Sequence, residues 1–382
     1  RIIYPPRVFE LSSNLISERS DKDMASFRTI KKYLPVTLVA ICFSSQLLGM
    51  EMKMMIPSHN APIGVMGDHL LMKGKWMLSS RRHHMTMKGN QLNGESISDA
   101  KVLQQANPFS SMPNMPSQLS IVPQEMTMNM LMLSTMYAPS DDLTVMSMTM
   151  FVDKEMVLDT YGGMMDRDYL GSFETSSKDL SNLSLIALYK LHQDPKNRTH
   201  LHFGLMKNIG KNDSTDEVLT PMNMVTNMTL PYGMQSSDRA SRLIIGTTNV
   251  STLGQYSVGA QALFSTAISK DDWSFGDYWD LNTWLQKDYN EDLSLSARIH
   301  FKSQKKIEGR DSTIMAPVQT ANPLNYGGQT IDLSFGANLA LDLFGTKNKK
   351  LGVEFILPLQ HNLRGLQMKR KWSLVAGYTV SF

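Results

Sequence analysis

Cysteine occurs once in 382 residues, as Cys42, so the chain has no intrachain disulfide and no cysteine framework for zinc. Beyond the N-terminal region no segment approaches the about 18 uninterrupted apolar residues that a helical span takes. With a mean hydropathy of −0.23, a helical membrane bundle is excluded. A β-barrel is not, because only alternate residues of its strands meet lipid. Neither sign of charge is in excess: 38 Lys and Arg against 35 Asp and Glu leave +3, which gives no electrostatic case for nucleic acid. The G-x-S-x-G elbow, the P-loop, H-E-x-x-H and the dinucleotide fingerprint are also missing. Gly162 and Gly163, Gly327 and Gly328, Asp141 and Asp142, and Asp271 and Asp272 all fall in expected connections, where turn formation is their role. No enzymatic activity and no cofactor is expected.

The first part of the chain does not read as fold. Residue 1 is Arg and the first methionine is Met24, and residues 1–23 show no periodicity; they are expected to be upstream, non-native sequence. From Met24 a basic stretch (Arg28, Lys31, Lys32) leads into the apolar run YLPVTLVAICFSSQLL over 33–48. This is the n-region and h-region of an export signal, expected over 24–49 and removed near Gly49, taking Cys42 with it. Ile41 is too bulky for a lipoprotein site at Cys42. Residues 50–74 are expected as a periplasmic segment or a plug inside a barrel formed by 75–382.

What the rest of the chain does contain is alternation with period two. In TIDLSFGANLALDLF (330–344), Ile331, Leu333, Phe335, Leu339, Leu341 and Leu343 share one face; Thr330, Asp332, Ser334, Asn338 and Asp342 share the other. Such a strand has one oily wall and one wet wall. Residues 292–302 and 200–206 repeat it. Expected strands are 75–87, 125–137, 143–156, 180–192, 199–209, 236–249, 253–268, 277–289, 292–306, 329–344, 350–360 and 370–382. The links between them alternate. Short ones (138–142, 193–198, 250–252, 290–291, 345–349) separate long ones (88–124, 157–179, 210–235, 269–276, 307–328, 361–369). That asymmetry is what an up-and-down transmembrane barrel shows, with short periplasmic turns and long outer loops. The expected fold is all-β: an antiparallel barrel of about 12 strands, an even number, in the outer membrane of a Gram-negative bacterium.

The last strand, KWSLVAGYTVSF (371–382), resembles the terminal assembly signal of outer-membrane proteins, with Gly377, Val380 and Phe382 at the expected spacing and Val375 where a polar residue is usual. The resemblance implies the barrel-assembly machinery as a partner. Trp76, Tyr137, Tyr189, Tyr256, Tyr289 and Trp372 lie near strand ends, where girdles at the lipid interfaces would sit.

Residues 64–79 (GVMGDHLLMKGKWMLS) and 81–90 (RRHHMTMKGN) resemble the start of outer-membrane transporters related to the phenol meta-pathway degradation proteins. PQEMTMNM (123–130), FVDKEM (151–156) and LPYGMQ (230–235) are similar to the same group, whereas Ser80 and Arg81 stand where its members often carry an aromatic-basic pair. The resemblance covers most of 61–382 and implies a channel-type barrel moving small molecules of undefined identity.

Thirty methionines are the compositional anomaly. Met126, Met128, Met130, Met132 and Met136 alternate along one strand, and Met146, Met148 and Met150 along the next, across a short turn. Thioether sulfur is a soft ligand suited to Cu(I), so with His200 and His202, which share a face, these residues form an alternative metal site. Against it, Glu125, Thr127, Asn129 and Thr135 occupy the opposite face of their strand and look lumenal, which turns the methionines toward lipid, where a flexible apolar side chain is at home. His200 and His202 are then expected to be solvated on a polar wall, and His83 and His84, being adjacent, point to opposite faces. The expected lumen is lined by Asn182, Ser184, His200, His202, Gln255, Gln261, Arg298, His300, Lys302, Asp332, Asn338, Asp342 and Glu354. This mixed-sign lining suits small solutes without strong anion or cation choice. The expected function is an outer-membrane channel for small molecules, hydrophobic or aromatic ones included, with membrane lipid as surroundings. Copper handling and a non-transporting adhesin or anchor are the alternatives, and loop 88–124 is where a surface partner would bind. Oligomeric state is not legible.

Overall fold

A computed structural model describes residues 60–163, 167–343 and 346–382, and the side chains of 342, 343, 346 and 347 are outside that description. The expected export signal over 24–49 and Cys42 lie outside the described residues. Twelve strands alternate in direction: β1 (Trp76–Leu92), β2 (Ile121–Ser140), β3 (Leu143–Tyr161), β4 (Tyr169–Gln193), β5 (Asn197–Asn208), β6 (Ser241–Leu253), β7 (Tyr256–Ser269), β8 (Tyr278–Asp288), β9 (Leu293–Gln304), β10 (Gly328–Leu343), β11 (Thr346–Leu363) and β12 (Leu366–Ser381). Each pairs antiparallel with the next, and β12 pairs with β1 from Met77 opposite Ser381 to Leu92 opposite Leu366. Closure leaves the wall no terminal edge strand, although the β11–β12 ladder stops at Ile356 opposite Ser373, short of their turn. Trp76 and Phe382 complete it by exchanging backbone hydrogen bonds of 2.8 and 3.3 Å.

The period-two pattern explains the two surfaces. Outward residues are oily and uncovered: Leu185 59%, Phe203 60%, Ile299 51% and Phe335 53% exposed. Their immediate neighbours Ser184, His202, Arg298 and Ser334 point inward and are buried. Trp76, Tyr137, Tyr189, Tyr256 and Tyr289 form an exposed ring at the end that carries the short turns, with Trp76 against Tyr137 at 4.4 Å between ring centroids. Trp372 belongs to the other end, opposite Thr86 and near Phe355.

Turn chemistry sets the short connections. Asp194 accepts backbone N–H groups from Lys196 and Asn197 at 2.7 Å each, and Asn290 accepts those of Asp292 and Leu293. Between β6 and β7 the turn is Gly254–Gln255, with Gly254 at φ +63°. The alternation pattern had placed it at 250–252. The left-handed glycine decides the turn, and it moves Gln255 out of the expected lumen onto an exposed tip.

Two expected outer loops are mostly wall. The 157–179 connection shrinks to 162–168 and the 361–369 connection to the two residues 364–365. β4 runs for 25 residues, where about 9–11 cross a bilayer. Above the lipid the outer face is polar, with Asp153 paired to Lys178 at 2.6 Å, while the inner face mixes polar residues with Met156, Leu158 and Phe173, which pack into the cap. With the oily outer face gone and the inner face mixed, the alternation signal fades although the strand continues.

The remaining outer connections fold together. Phe109, Tyr232, Trp273, Ile307, Ile314 and Val318 form a buried cluster over the outer mouth, Tyr232 meeting Trp273 edge-on at 4.8 Å. Burial in this cap pushes the Tyr326 phenol up.

Candidate functional site: the barrel lumen

A strap crosses the lumen. Residues 60–75 run from its interior to the start of β1, and side chains from six strands hold the strap's backbone, Thr144 of β3 accepting the Leu71 N–H at 2.9 Å. Arg81 Nη1 donates to the carbonyl oxygens of Ile63 (2.7 Å) and Val65 (2.8 Å). His200 Nε2 lies 2.8 Å from the Gly67 carbonyl oxygen, and Gln261 Nε2 donates to that of Met66 at 2.8 Å. Glu354 Oε2 accepts the Gly64 N–H at 2.8 Å, and Asn338 donates to the Ala61 carbonyl oxygen at 3.2 Å. A backbone without regular secondary structure enters a buried space only when its polar groups are satisfied in this way. A Cβ at Gly64 would displace the Glu354 carboxylate and the Arg298 guanidinium that pack against it. Within the strap Asp68 accepts the Ala61 N–H at 2.6 Å and pairs with His69 at 3.0 Å. Burial works against its charge, yet His69 and Lys350 hold the Asp68 carboxyl well below the usual carboxylate range.

One wall of the lumen is charged. Arg298 binds Glu354 at 2.7 Å through Nε and Asn282 at 2.6 Å through Nη1. His300 lies between two carboxylates, 3.0 Å from Asp280 and 3.3 Å from Asp332, and Arg370 binds Asp332 from the far side. The Lys302 ammonium sits 4.7 Å from the Tyr278 ring centroid. A cavity of about 150 Å³ opens at the outer end of this wall between Lys302, Thr330, Phe275, Tyr326 and Gln367. It is smaller than the about 300 Å³ at which drug-sized ligand pockets begin.

The opposite wall is methionine, and here the sequence reading is reversed. Ser79 and Arg81 face the lumen, and in register with them across β1 and β2 come Ser134 and Met132. Met126, Met128, Met130 and Met136 share that face, and pairing with β3 adds Met146, Met148, Met150 and Met156. Glu125, Thr127, Asn129 and Thr135, expected in the lumen, point outward. Asn129 and Glu125 serve His84 and Lys88, at the level where Asp153 and Lys178 mark the wall above lipid. They are polar because they face external water, a distinction that alternation within one strand does not make.

Asn182, Ser184, His200, His202, Gln261, Arg298, His300, Lys302, Asp332, Asn338 and Glu354 all stand on the inner face. The Asp342 side chain lies outside the described residues. His200 and His202 are not solvated. They are 0% and 2% exposed, their rings tilted at 4.9 Å between centroids; His200 holds the strap at Gly67, and His202 bonds the wall at Thr248. Sequence reasoning missed Arg81, Asp280, Asn282 and Arg370. Arg81 alternates with Ser79 and His83, but a basic residue next to Arg82 gives no sign of which of the two points inward. Gly377 and Val380 lie on the closing strand, Gly377 inward against the Arg81 stem and Val380 outward opposite Leu78.

No family model matches the chain, and no curated protein matches it. Among solved structures it is similar to an outer membrane channel from Pseudomonas putida F1, at TM-score 0.52 and 16% identity, covering 83% of this chain and 98% of that one. The chain has the fold of that channel, a closed antiparallel β-barrel. A FadL homologue from Pseudomonas aeruginosa gives TM-score 0.38 at 7% identity over 81% of this chain and 90% of its own. A deltaS2 mutant of the monoaromatic hydrocarbon channel TodX gives 0.44 at 11% identity over 81% and 91%.

Proposed function

We propose that this barrel is a channel that admits small solutes across the outer membrane, apolar and aromatic molecules among them, with the strap as its inner closure. One observation carries the reading. Between strap and cap, His83, Met130, Met132, Met148 and Met150 face inward yet stay partly exposed, so the lumen is not packed shut at that level. Apolar, flexible thioethers there offer a surface that adapts to apolar solutes of differing shape. The charged wall opposite keeps the remainder wet. The likeness in fold to an outer membrane channel supports the reading. So does the resemblance of residues 64–90 to transporters related to the phenol meta-pathway proteins, and membership of that group is part of the proposal. Export by a signal over 24–49, and recognition of Gly377, Val380 and Phe382 by the barrel-assembly machinery, belong to it as well. The test is uptake into proteoliposomes across aromatic, fatty-acid and sugar solutes, with the chain intact and with strap anchors removed. Faster entry of aromatic solutes, and a further rise when Arg81 or Glu354 is replaced, is expected. A barrel tight to every solute in both forms would end the proposal.

A further inference from the structure

The methionine wall contains three kinds of position, and packing accounts for only two of them. Near the strap, Met77, Met136 and Met146 stand in register across three strands, all buried against Leu70, Leu71, Ile186 and Leu188. Near the cap, Met87, Met126 and Met156 form a second row of three, packed into the outer cluster. Both rows are explained as irregular apolar filling. The residues between them are not. Met132 and Met150 face each other across β2 and β3, Met130 faces His83 across β1 and β2, and none of the four belongs to a packed cluster. All remain partly exposed to the lumen. His83 adds an independent observation: its Nε2 is sealed from solvent and has no hydrogen-bond partner.

We propose that His83, Met130, Met132 and Met150 form a binding site for a soft monovalent cation, Cu(I). Directly opposed residues of an antiparallel pair have Cβ atoms about 4.5–5.5 Å apart, and diagonal neighbours about 7–8 Å. A methionine sulfur lies two bonds beyond Cβ on freely rotating torsions, so these thioethers converge on one ion without moving the backbone. Thioether and imidazole donors select copper over harder metals. The donor set is neutral, and Arg81, Arg298 and Arg370 stand nearby on the inner face, so a divalent ion meets more opposition than a monovalent one. Asp68 and Glu354 face Arg81 and offset its charge.

The site does not depend on transport, and its test is a binding measurement on the full chain in detergent under anaerobic conditions. Cu(I) is titrated against bicinchoninate, with Ag(I) as a redox-inert probe. Leucine nearly conserves methionine's volume and apolarity, so the triple variant Met130→Leu, Met132→Leu, Met150→Leu keeps the packing and removes only sulfur. Its folding is checked by heat-modifiable migration. The intact chain is expected to hold one Cu(I), and the triple variant to hold it about a hundredfold more weakly. X-ray absorption should show sulfur with one nitrogen in the metal shell, the nitrogen disappearing in His83→Ala. The packed row Met77→Leu, Met136→Leu, Met146→Leu should leave affinity unchanged. Equal Cu(I) retention by intact chain and central triple variant, or equal affinity for Zn(II), would overturn the site. Solute uptake by the same preparations fails or succeeds separately, which keeps this outcome distinct from that of the channel reading.

Discussion

Glu354 carries two duties at once: one oxygen takes the strap's Gly64 N–H and the other takes Arg298, with the two charged side chains 1% and 4% exposed. Replacing it with Gln leaves a buried guanidinium without its counter-charge. A broken buried pair typically costs about 3–5 kcal/mol, so Glu354→Gln should lower barrel stability by about that much in urea unfolding from lipid vesicles. Asp194 makes the opposite case at the surface. His192 beside it, with the Lys196 and Asn197 N–H groups, holds its carboxyl well below the usual carboxylate range. A carboxyl lowered on folding contributes above its unfolded value of about 3.9 and loses that contribution as pH falls through the lower folded value. The β4–β5 turn should therefore keep its Lys196 and Asn197 amide protection at pH 4 and lose it only in stronger acid, as amide exchange would show.

The strap is the element whose removal should change most at least structural cost. It adds no strand pairing to the wall, and its bonds to Arg81, His200, Gln261, Asn338 and Glu354 are made by inward side chains. Deleting 60–72 should raise conductance in planar bilayers while heat-modifiable migration persists; an unfolded product would show the strap to be structural. The long β4 makes a different prediction. Its outer half lies in water, where an exposed pair such as Asp153–Lys178 contributes about 0–1 kcal/mol. Lys178→Ala should leave unfolding in lipid vesicles unchanged within that margin.

At the scale of the whole molecule, the lipid face and the lumen obey opposite rules. Phe203 is 60% exposed at the middle of β5, so Phe203→Arg should cost about 2–4 kcal/mol, the depth-dependent penalty for a charge facing lipid. The inner face already carries Arg298, Lys302 and Arg370, and it tolerates them because each finds a carboxylate, an amide or an aromatic ring.

The sequence by itself determined the barrel: the strand number, the antiparallel order and the oily outer face, because period two is imposed locally wherever one wall meets lipid and the other does not. His300, Arg298 and Asp332 were legible for the same reason. Only the tertiary structure decided the rest. Strands above the membrane lose the alternation signal, so the lengths of β3 and β4 and the short 364–365 turn could not be read. The inward turn of Met130, Met132 and Met150 was hidden because polar residues on the opposite face signal water without saying whether that water lies inside the barrel or outside the cell. The strap's hold on His200 and Glu354 joins residues more than a hundred positions apart, and it exists only once the closed wall brings six strands around one segment.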